Sequence, residues 1–303
     1  IVLHFLATIL VFYFILRISS SQPVAFLTAS FFAVHPIQSE VVNASGYRSD
    51  ILMTIFYLSA VLMYLRYSVA KKNGAWLFVI AAAYFLALFS KEAALTFPVV
   101  IFMIDRFFTS AKNSRAILWE KKWLYLLLAG ITAFYLYVYF ILFPNIFYLQ
   151  NAPQALRETA QVILMLKIFA QYVSVLVLPS QISVLPPLYA PPIFPLHAWE
   201  LIVPLFAGLS AVIFGSYYYQ RNKLVTFGLL WFFINYFPIS GFFPLLNSLA
   251  FRFLYLPSIG FFLLAAVCIR FLIAWLQRKK FVLNISLLFQ GALIGLLIAL
   301  TIA

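Results

Sequence analysis

The sequence predicts an all-α fold, a polytopic bundle of transmembrane helices, on the basis of its composition and its apolar runs. Of its 303 residues, 66% are hydrophobic and only 9% are charged, and the mean hydropathy is +1.06. A water-soluble protein of this size needs more polar surface than this composition supplies. The apolar runs approach the roughly 20 residues that a helix needs to cross a bilayer, and they lack the alternating pattern of a membrane β-barrel. We therefore expect an integral membrane protein, with residues 1–303 forming a single domain.

The first half of the chain contains five predicted crossings separated by polar connections. They lie near Ile1–Leu16, Val24–Val34, Ile51–Leu65, Ala75–Phe89 and Ala93–Ile104. The connections after the first, third and fifth crossings are basic and contain Arg17; Arg66, Lys71 and Lys72; and Arg106, Lys112, Arg115, Lys121 and Lys122. Short loops rich in Lys and Arg remain on the cytoplasmic side. The connections after the second and fourth crossings are therefore expected on the outer side.

The second half contains five further predicted crossings, which brings the total to about ten. They lie near Trp123–Phe143, Leu201–Tyr219, Leu224–Phe237, Tyr255–Trp275 and Phe281–Ala303. Two more basic connections, around Arg221 and Arg278, are assigned to the cytoplasmic side. This arrangement leaves the apolar stretch Thr159–Leu178 without a crossing to make. Because prolines flank it and Lys167 lies within it, we expect an interfacial or re-entrant helix inside a long outer loop, about residues 144–200.

The two ends of the sequence do not resemble natural termini. Ile1 begins in mid-helix without an initiator methionine, and Thr301–Ala303 end inside an apolar run. We therefore expect a fragment of a longer chain, truncated at its N-terminus. The single cysteine, Cys268, excludes a disulfide bond within the chain.

The connection FAVHPIQSEVVNASGYRSD, residues 32–50, collects ionisable groups of both signs on the expected outer side. Together with the outer connections FSKEA and LAFRFLYLP, it contributes His35, Glu40, Arg48, Asp50, Lys91, Glu92 and Arg252. Lys and Arg residues normally concentrate in cytoplasmic loops and so orient the chain. Cations near the outer membrane face run against this tendency, so their presence there indicates a role other than orientation. Arginine binds phosphate through two parallel donors, and carboxylates accept hydrogen bonds from sugar hydroxyls. If the three connections converge, they form a site for a substrate with a phosphate and a sugar.

A structural interpretation of the same residues is equally compatible with their spacing. In it, Arg48 with Asp50 and Lys91 with Glu92 form local ion pairs that stabilise helix ends in the membrane interface. His4, on the first predicted helix, is interpreted as a buried, hydrogen-bonded packing residue in preference to a ligand.

Three blocks of the sequence, taken in order, resemble the membrane region of TMTC-type proteins and their bacterial relatives. The blocks are HPIQSEVVNASGYRSD, LFSKEAALTFPVVIFMIDRF and FRFLYLPSIGF, and the resemblance covers most of residues 1–275. Those proteins are similar to the GT-C superfamily of glycosyltransferases, and tetratricopeptide repeats follow their helices. No such repeat pattern follows Arg278. Because the resemblance implies a fragment that begins at the second helix, we expect the acidic residue that these enzymes carry in their first outer loop to precede Ile1.

The resemblance implies a glycosyltransferase that depends on a polyprenyl-phosphate-linked sugar. It would move mannose or a similar hexose to a protein or glycan acceptor at the non-cytoplasmic face of the bacterial inner membrane or the endoplasmic reticulum. The implied partners are the carrier-linked donor, the acceptor and the lipid bilayer, and no nucleic acid is expected.

The roles follow from the chemistry of transfer from a lipid phosphate. Preorganised cations stabilise the leaving phosphate, and a base accepts the proton of the acceptor hydroxyl. The candidate catalytic residues are Glu40 and Asp50, and the candidate substrate-binding residues are His35, Arg48, Lys91, Glu92 and Arg252. No cofactor and no metal ligand are assigned. A divalent metal ion on the carrier phosphate is compatible with this chemistry, although no ligand spacing requires it.

Two rival hypotheses use the same charges differently. A membrane transporter or flippase for a lipid-linked or anionic solute is favoured by inverted repeats or by charges at mid-span, whereas the charges here cluster at predicted helix ends. A membrane scaffold for missing repeats would leave Arg48, Lys91 and Arg252 freely replaceable.

Overall fold

The chain is predominantly helical in the part that the computed structural model describes, which is residues 1–69, 74–108, 114–142, 158–179, 197–218, 221–240 and 250–278. No β-strand occurs in these ranges. The α-helices, in chain order, are α1 Val2–Ser19, α2 Gln22–Val34, α3 Ser39–Asn43, α4 Arg48–Val69, α5 Gly74–Ser90, α6 Phe97–Phe108, α7 Ser114–Glu120, α8 Lys122–Tyr137, α9 Glu158–Val177, α10 Ala198–Tyr218, α11 Lys223–Tyr236 and α12 Ser258–Arg278. The all-α prediction is confirmed for these residues.

Within the described ranges, four helical stretches are long and apolar enough to cross a membrane, as expected for a membrane protein. They are Val2–Ser19, Arg48–Ser68, Lys122–Ile141 and Ser258–Gln277. Other apolar helices are shorter: α2 has 13 residues, which at 1.5 Å per residue cover about 20 Å of a hydrocarbon core that is roughly 30 Å thick. The apolar runs at the predicted crossings are therefore not all helices of spanning length. The predicted crossing Phe281–Ala303 lies outside the described residues.

The shorter helices arise because polar or proline-containing segments interrupt the apolar runs. In the described part of the chain, 3₁₀ segments lie at Pro36–Gln38, Ser45–Tyr47, Glu92–Thr96, Phe237–Ile239 and Phe251–Leu254. Pro36 disfavours a helical conformation at the preceding residue, so His35 is extended and α2 ends at Val34. The predicted crossing that began at Ala93 likewise starts with a 3₁₀ turn, and its α-helix begins at Phe97.

The interior of the bundle is aromatic. Helix α1 packs against α2 and α4, α4 against α5, α5 against α8, and α12 against α2 and α11. Trp231 of α11 is fully buried; its ring centre lies 4.9 Å from that of Phe14 on α1, in a tilted arrangement, and 6.0 Å from that of Tyr57 on α4, edge to face. Large aromatic rings fill the space between the helices. The apolar residues of the helices point in most directions and not to one face, as expected for a bundle embedded in a membrane.

The described charges separate toward two ends of the bundle. At one end, which we call the basic end, Arg66 lies over the ring of Trp76 where α4 and α5 meet, and Arg270 of α12 donates to Ser21 between α1 and α2. The opposite end contains the α2–α4 and α5–α6 connections and the start of α12. We call it the mixed-charge end, because it contains Glu40, Arg48, Asp50, Lys91, Glu92 and Arg252.

Helix α9 corresponds to the stretch predicted as a helix at Thr159–Leu178. Its Tyr172 hydroxyl donates to the carbonyl of Ala250 at 3.1 Å, and its Leu176 carbonyl accepts from His35 Nε2 at 3.2 Å. Lys167 of α9 pairs with Glu200, near the start of α10, at 3.2 Å. These contacts hold the C-terminal half of α9 against the mixed-charge end. Two further parts of the predicted outer loop, residues 144–157 and 180–196, lie outside the described residues.

Candidate functional site

Two ion pairs between distant segments form the centre of the mixed-charge end. In the first, Glu40 of α3 is fully buried and both of its carboxylate oxygens bind Arg252. Oε2 accepts the backbone N–H of Arg252 at 2.9 Å, and Oε1 accepts Nη1 of its guanidinium at 2.5 Å. This pair joins segments that are 212 residues apart in the chain, and it fixes both the backbone and the side chain of Arg252.

The second ion pair joins Lys91, after α5, to Asp50, in the first turn of α4. Lys91 Nζ donates to Asp50 Oδ1, and both side chains are largely buried. A carboxylate in the first turn of a helix is also favoured by the positive end of the helix dipole. Glu92 is partly exposed and lies near Asp50 and near Tyr135 of α8.

Two aromatic rings contact the cations of these ion pairs. The guanidinium carbon of Arg252 lies 4.0 Å from the ring centre of Tyr47 and 4.9 Å from that of Phe253. Lys91 Nζ lies 4.6 Å from the centre of the same Phe253 ring. A ring face attracts cations, so the Phe253 ring contacts the cation of each ion pair. We call Glu40, Tyr47, Asp50, Lys91, Arg252 and Phe253 the paired-charge cluster.

Arg48 lies next to this cluster but differs from the other cations. It is the first residue of α4, its side chain is exposed, and it forms no ion pair with any residue that the structure describes. Residues two apart on a helix point to different sides, so Arg48 does not pair with Asp50. Lys91 likewise does not form its local pair, because it binds Asp50 and not its neighbour Glu92. The local pairs considered from the sequence are therefore wrong.

His35 lies behind the cluster as a neutral hydrogen-bonding residue. Its Nδ1 accepts the N–H of Ile37 at 3.2 Å while Nε2 donates to Leu176 of α9. Burial lowers the pKa of His35 to about 4, with the Leu176 carbonyl opposing the shift. At neutral pH the ring therefore has no charge with which to bind phosphate, and its observed contacts tie the α2–α4 connection to α9. Its predicted substrate contact remains a prediction.

The described carboxylates of the cluster do not fit a divalent metal ion. Both oxygens of Glu40 are engaged by Arg252, and Lys91 occupies one oxygen of Asp50. Across the described ranges, no three His, Cys, Asp or Glu residues are grouped as metal ligands.

Sequence reasoning identified the charged members of the cluster but missed its aromatic members. Tyr47 and Phe253 are adjacent in sequence to Arg48 and Arg252, and in a chain with 19% aromatic residues that adjacency is not a distinctive signal. His4 is as expected: Nε2 donates to Ala33 at 3.1 Å and Nδ1 accepts from the Tyr255 hydroxyl at 2.7 Å. It is a packing residue at the same end of the bundle.

The fold and the cluster together define a helical membrane protein with a buried, mixed-charge site at one end of its bundle. Comparisons with protein-family models, with curated proteins and with solved structures find no match.

Proposed function

We propose that the chain is the membrane region of a glycosyltransferase that takes a hexose from a polyprenyl-phosphate carrier. The observation that carries this proposal is that Lys91 and Arg252, from separate connections, both lie against the Phe253 ring. The exposed Arg48 follows Tyr47, whose ring also contacts the Arg252 guanidinium. A lipid phosphate must remain near a membrane boundary while its sugar leaves, and a site at helix ends meets that requirement. The resemblance to TMTC-type proteins supports the same reaction class.

The proposed reaction moves one proton and one sugar. An acceptor hydroxyl oxygen bonds to the anomeric carbon of the sugar as the bond from that carbon to the phosphate oxygen breaks. The carrier phosphate leaves with the electron pair, and its charge is stabilised by Arg48, Lys91 and Arg252. Cations that are already held in place lose little conformational entropy when negative charge develops on the leaving phosphate. The ion pairs with Asp50 and Glu40 hold Lys91 and Arg252 in place.

The two candidate catalytic carboxylates receive different roles in this proposal. Glu40 uses both oxygens to hold Arg252, which favours a positioning role over the acceptor contact considered from the sequence. Lys91 engages Oδ1 of Asp50, and no described side chain bonds to its Oδ2. Asp50 is therefore the better placed of the two to accept the hydroxyl proton. Glu92, partly exposed beside it, is assigned to sugar hydroxyls.

In the proposed topology, the mixed-charge end faces the non-cytoplasmic side and about ten segments cross or enter the membrane. The concentration of basic residues at the opposite end supports this orientation. The contacts of α9 with His35 and Ala250 support an outer location for that helix.

Labelling from outside the membrane is expected to distinguish the two ends. In a Cys268→Ser background, Gly46→Cys should react with an impermeant thiol reagent, because Gly46 is exposed and a Cβ there meets nothing within 4 Å. Glu120→Cys, exposed at the basic end, should react after the membrane is permeabilised and not before. The reverse pattern would contradict the proposed orientation.

Replacing Arg48 tests the phosphate site with the least structural disturbance, because Arg48 is exposed and has no ion pair among the described residues. Arg48→Ala should reduce transfer about tenfold to a hundredfold, the effect of losing a hydrogen bond to a charged group, with unchanged thermal stability. Arg48→Lys keeps the charge but loses the two-donor geometry, so it should recover only part of the rate. The measurement is hexose transfer from a polyprenyl-phosphate donor by the full-length protein in membranes.

Arg221→Ala, a charge removed at the basic end, is the matched control and should transfer at the wild-type rate. Wild-type transfer by Arg48→Ala would contradict the phosphate role of Arg48. If the full-length protein moves the labelled carrier between leaflets without transferring sugar, the flippase hypothesis replaces the transferase.

A further inference from the structure

Consecutive lysines at the turn between α7 and α8 have opposite environments. Lys121 is buried, and its Nζ donates to Asp105 Oδ1 at 2.6 Å and to the Tyr64 hydroxyl at 2.5 Å. Asp105 is fully buried near the end of α6, and Tyr64 is fully buried on α4. Lys121 therefore anchors the turn to two other helices. From the sequence, Lys121 was counted only among the residues that orient the chain.

Lys122 lies on the other side of the turn, between two exposed indole rings. Its Nζ lies 4.7 Å from the ring centre of Trp119 and 5.5 Å from that of Trp123. Trp119 is 74% exposed and Trp123 is 68% exposed. Because Lys121 fixes the turn from beneath, these side chains project from a rigid support.

The position of Lys122 relative to the membrane follows from helix α8. Lys122 is the first residue of the spanning stretch Lys122–Ile141. The exposed apolar side of that stretch continues from Trp123 to Leu126, which is 60% exposed. A basic residue with tryptophans at the start of a spanning helix lies at the level of lipid headgroups. Arg115, on α7, lines an open apolar depression together with Leu118 and Trp119.

We infer that Arg115, Leu118, Trp119, Lys122 and Trp123 form a binding surface for an anionic phospholipid, which we call the lysine–tryptophan surface. The two cations contact the phosphate and the remaining headgroup oxygens, and the indoles and Leu118 contact the upper acyl chain. Glu120, also exposed in this turn, offsets one positive charge, so attraction requires both Arg115 and Lys122. A zwitterionic headgroup carries a positive charge of its own, so it gains less binding free energy from Arg115 and Lys122. This inference does not rest on the proposed transferase activity.

Tryptophan quenching by brominated lipids tests the surface directly. The full-length protein is placed in nanodiscs in which the bromine is carried either by phosphatidylglycerol or by an equal mole fraction of phosphatidylcholine. The brominated phosphatidylglycerol should quench more strongly. The double variant Trp119→Phe/Trp123→Phe should lose this difference, because Trp119 and Trp123 report it.

Charge variants then assign the preference to named residues. Each of Arg115→Gln and Lys122→Gln should lower the relative association constant for phosphatidylglycerol roughly fivefold, the effect of one basic residue near an anionic surface. Lys122→Arg should retain the preference, and Lys223→Gln, an exposed lysine at the basic end on α11, should leave it unchanged. Equal quenching by the two lipids in the wild type would overturn the inference. It would also be overturned by a preference that survives the Arg115→Gln/Lys122→Gln double variant.

Discussion

Replacing Arg252 by alanine is expected to destabilise the protein by about 3–5 kcal/mol, the range for removing one partner of a buried ion pair. The reason is that Glu40 is fully buried and both of its oxygens bind Arg252. The backbone N–H of residue 252 remains as a donor in the variant, but the carboxylate has lost its counter-charge. The measurement is unfolding by sodium dodecyl sulfate in mixed micelles, followed by circular dichroism.

A double-variant cycle separates the pair from the site's other contacts. Glu40→Gln and Arg252→Met should each destabilise the protein, whereas the double variant Glu40→Gln/Arg252→Met should lose less than the sum of these two single losses, because it leaves no unpaired buried charge. Arg270→Ala, an exposed arginine at the basic end, is the control and should change stability by less than about 1 kcal/mol. Strictly additive losses would show that Glu40 and Arg252 are not coupled in the folded protein.

Gly260→Ala is expected to have the second large effect. It should lower the free energy of unfolding by about 2–3 kcal/mol, the upper part of the range for overpacking. The Cβ of Gly260→Ala would lie 2.5 Å from the carbonyl oxygen of Gly228 and 2.9 Å from the backbone nitrogen of Phe232. Both contacts are with backbone, so α11 and α12 must move apart. Because the indole N–H of Trp231 on α11 donates at 3.0 Å to the carbonyl of Leu256, just before α12, this separation also strains a hydrogen bond.

Gly208→Ala is the matched control for this variant. Gly208 also lies within an apolar helix, α10, but a Cβ there meets nothing within 4 Å. Alanine has the higher helix propensity, so Gly208→Ala should cause no loss of stability in the same unfolding assay. Equal stability of the two alanine variants would contradict the close approach of α11 and α12.

The predicted helices and the charged members of the site are the parts of the structure that the sequence anticipated best. Predicted bounds such as Ala75–Phe89 lie within a residue of α5, Gly74–Ser90, because apolar runs ending at charged residues mark helix ends reliably. The bounds were less accurate where a 3₁₀ turn opens the run, as before α6. There the switch from 3₁₀ to α geometry depends on neighbouring segments, and composition does not report it.

Within the site, the sequence anticipated that three connections would supply charges, but not which charges would pair. Lys91 has Glu92 beside it in the chain and nevertheless pairs with Asp50, 41 residues away. The buried contact of Lys121 with Asp105 was missed for the same reason: a lysine in a basic connection looks like a topological charge until the fold buries it.

The sequence by itself therefore determined the class of protein, because hydropathy sums over residues and needs no knowledge of contacts. It also determined where charge concentrates, since a membrane protein places its few ionisable groups at helix ends. Only the tertiary structure decided that Glu40 is occupied by Arg252, that Arg48 remains exposed, and that Lys121 and Lys122 point in opposite directions. These are properties of pairs of groups brought together from distant segments, and they depend on distances that no single stretch of sequence contains.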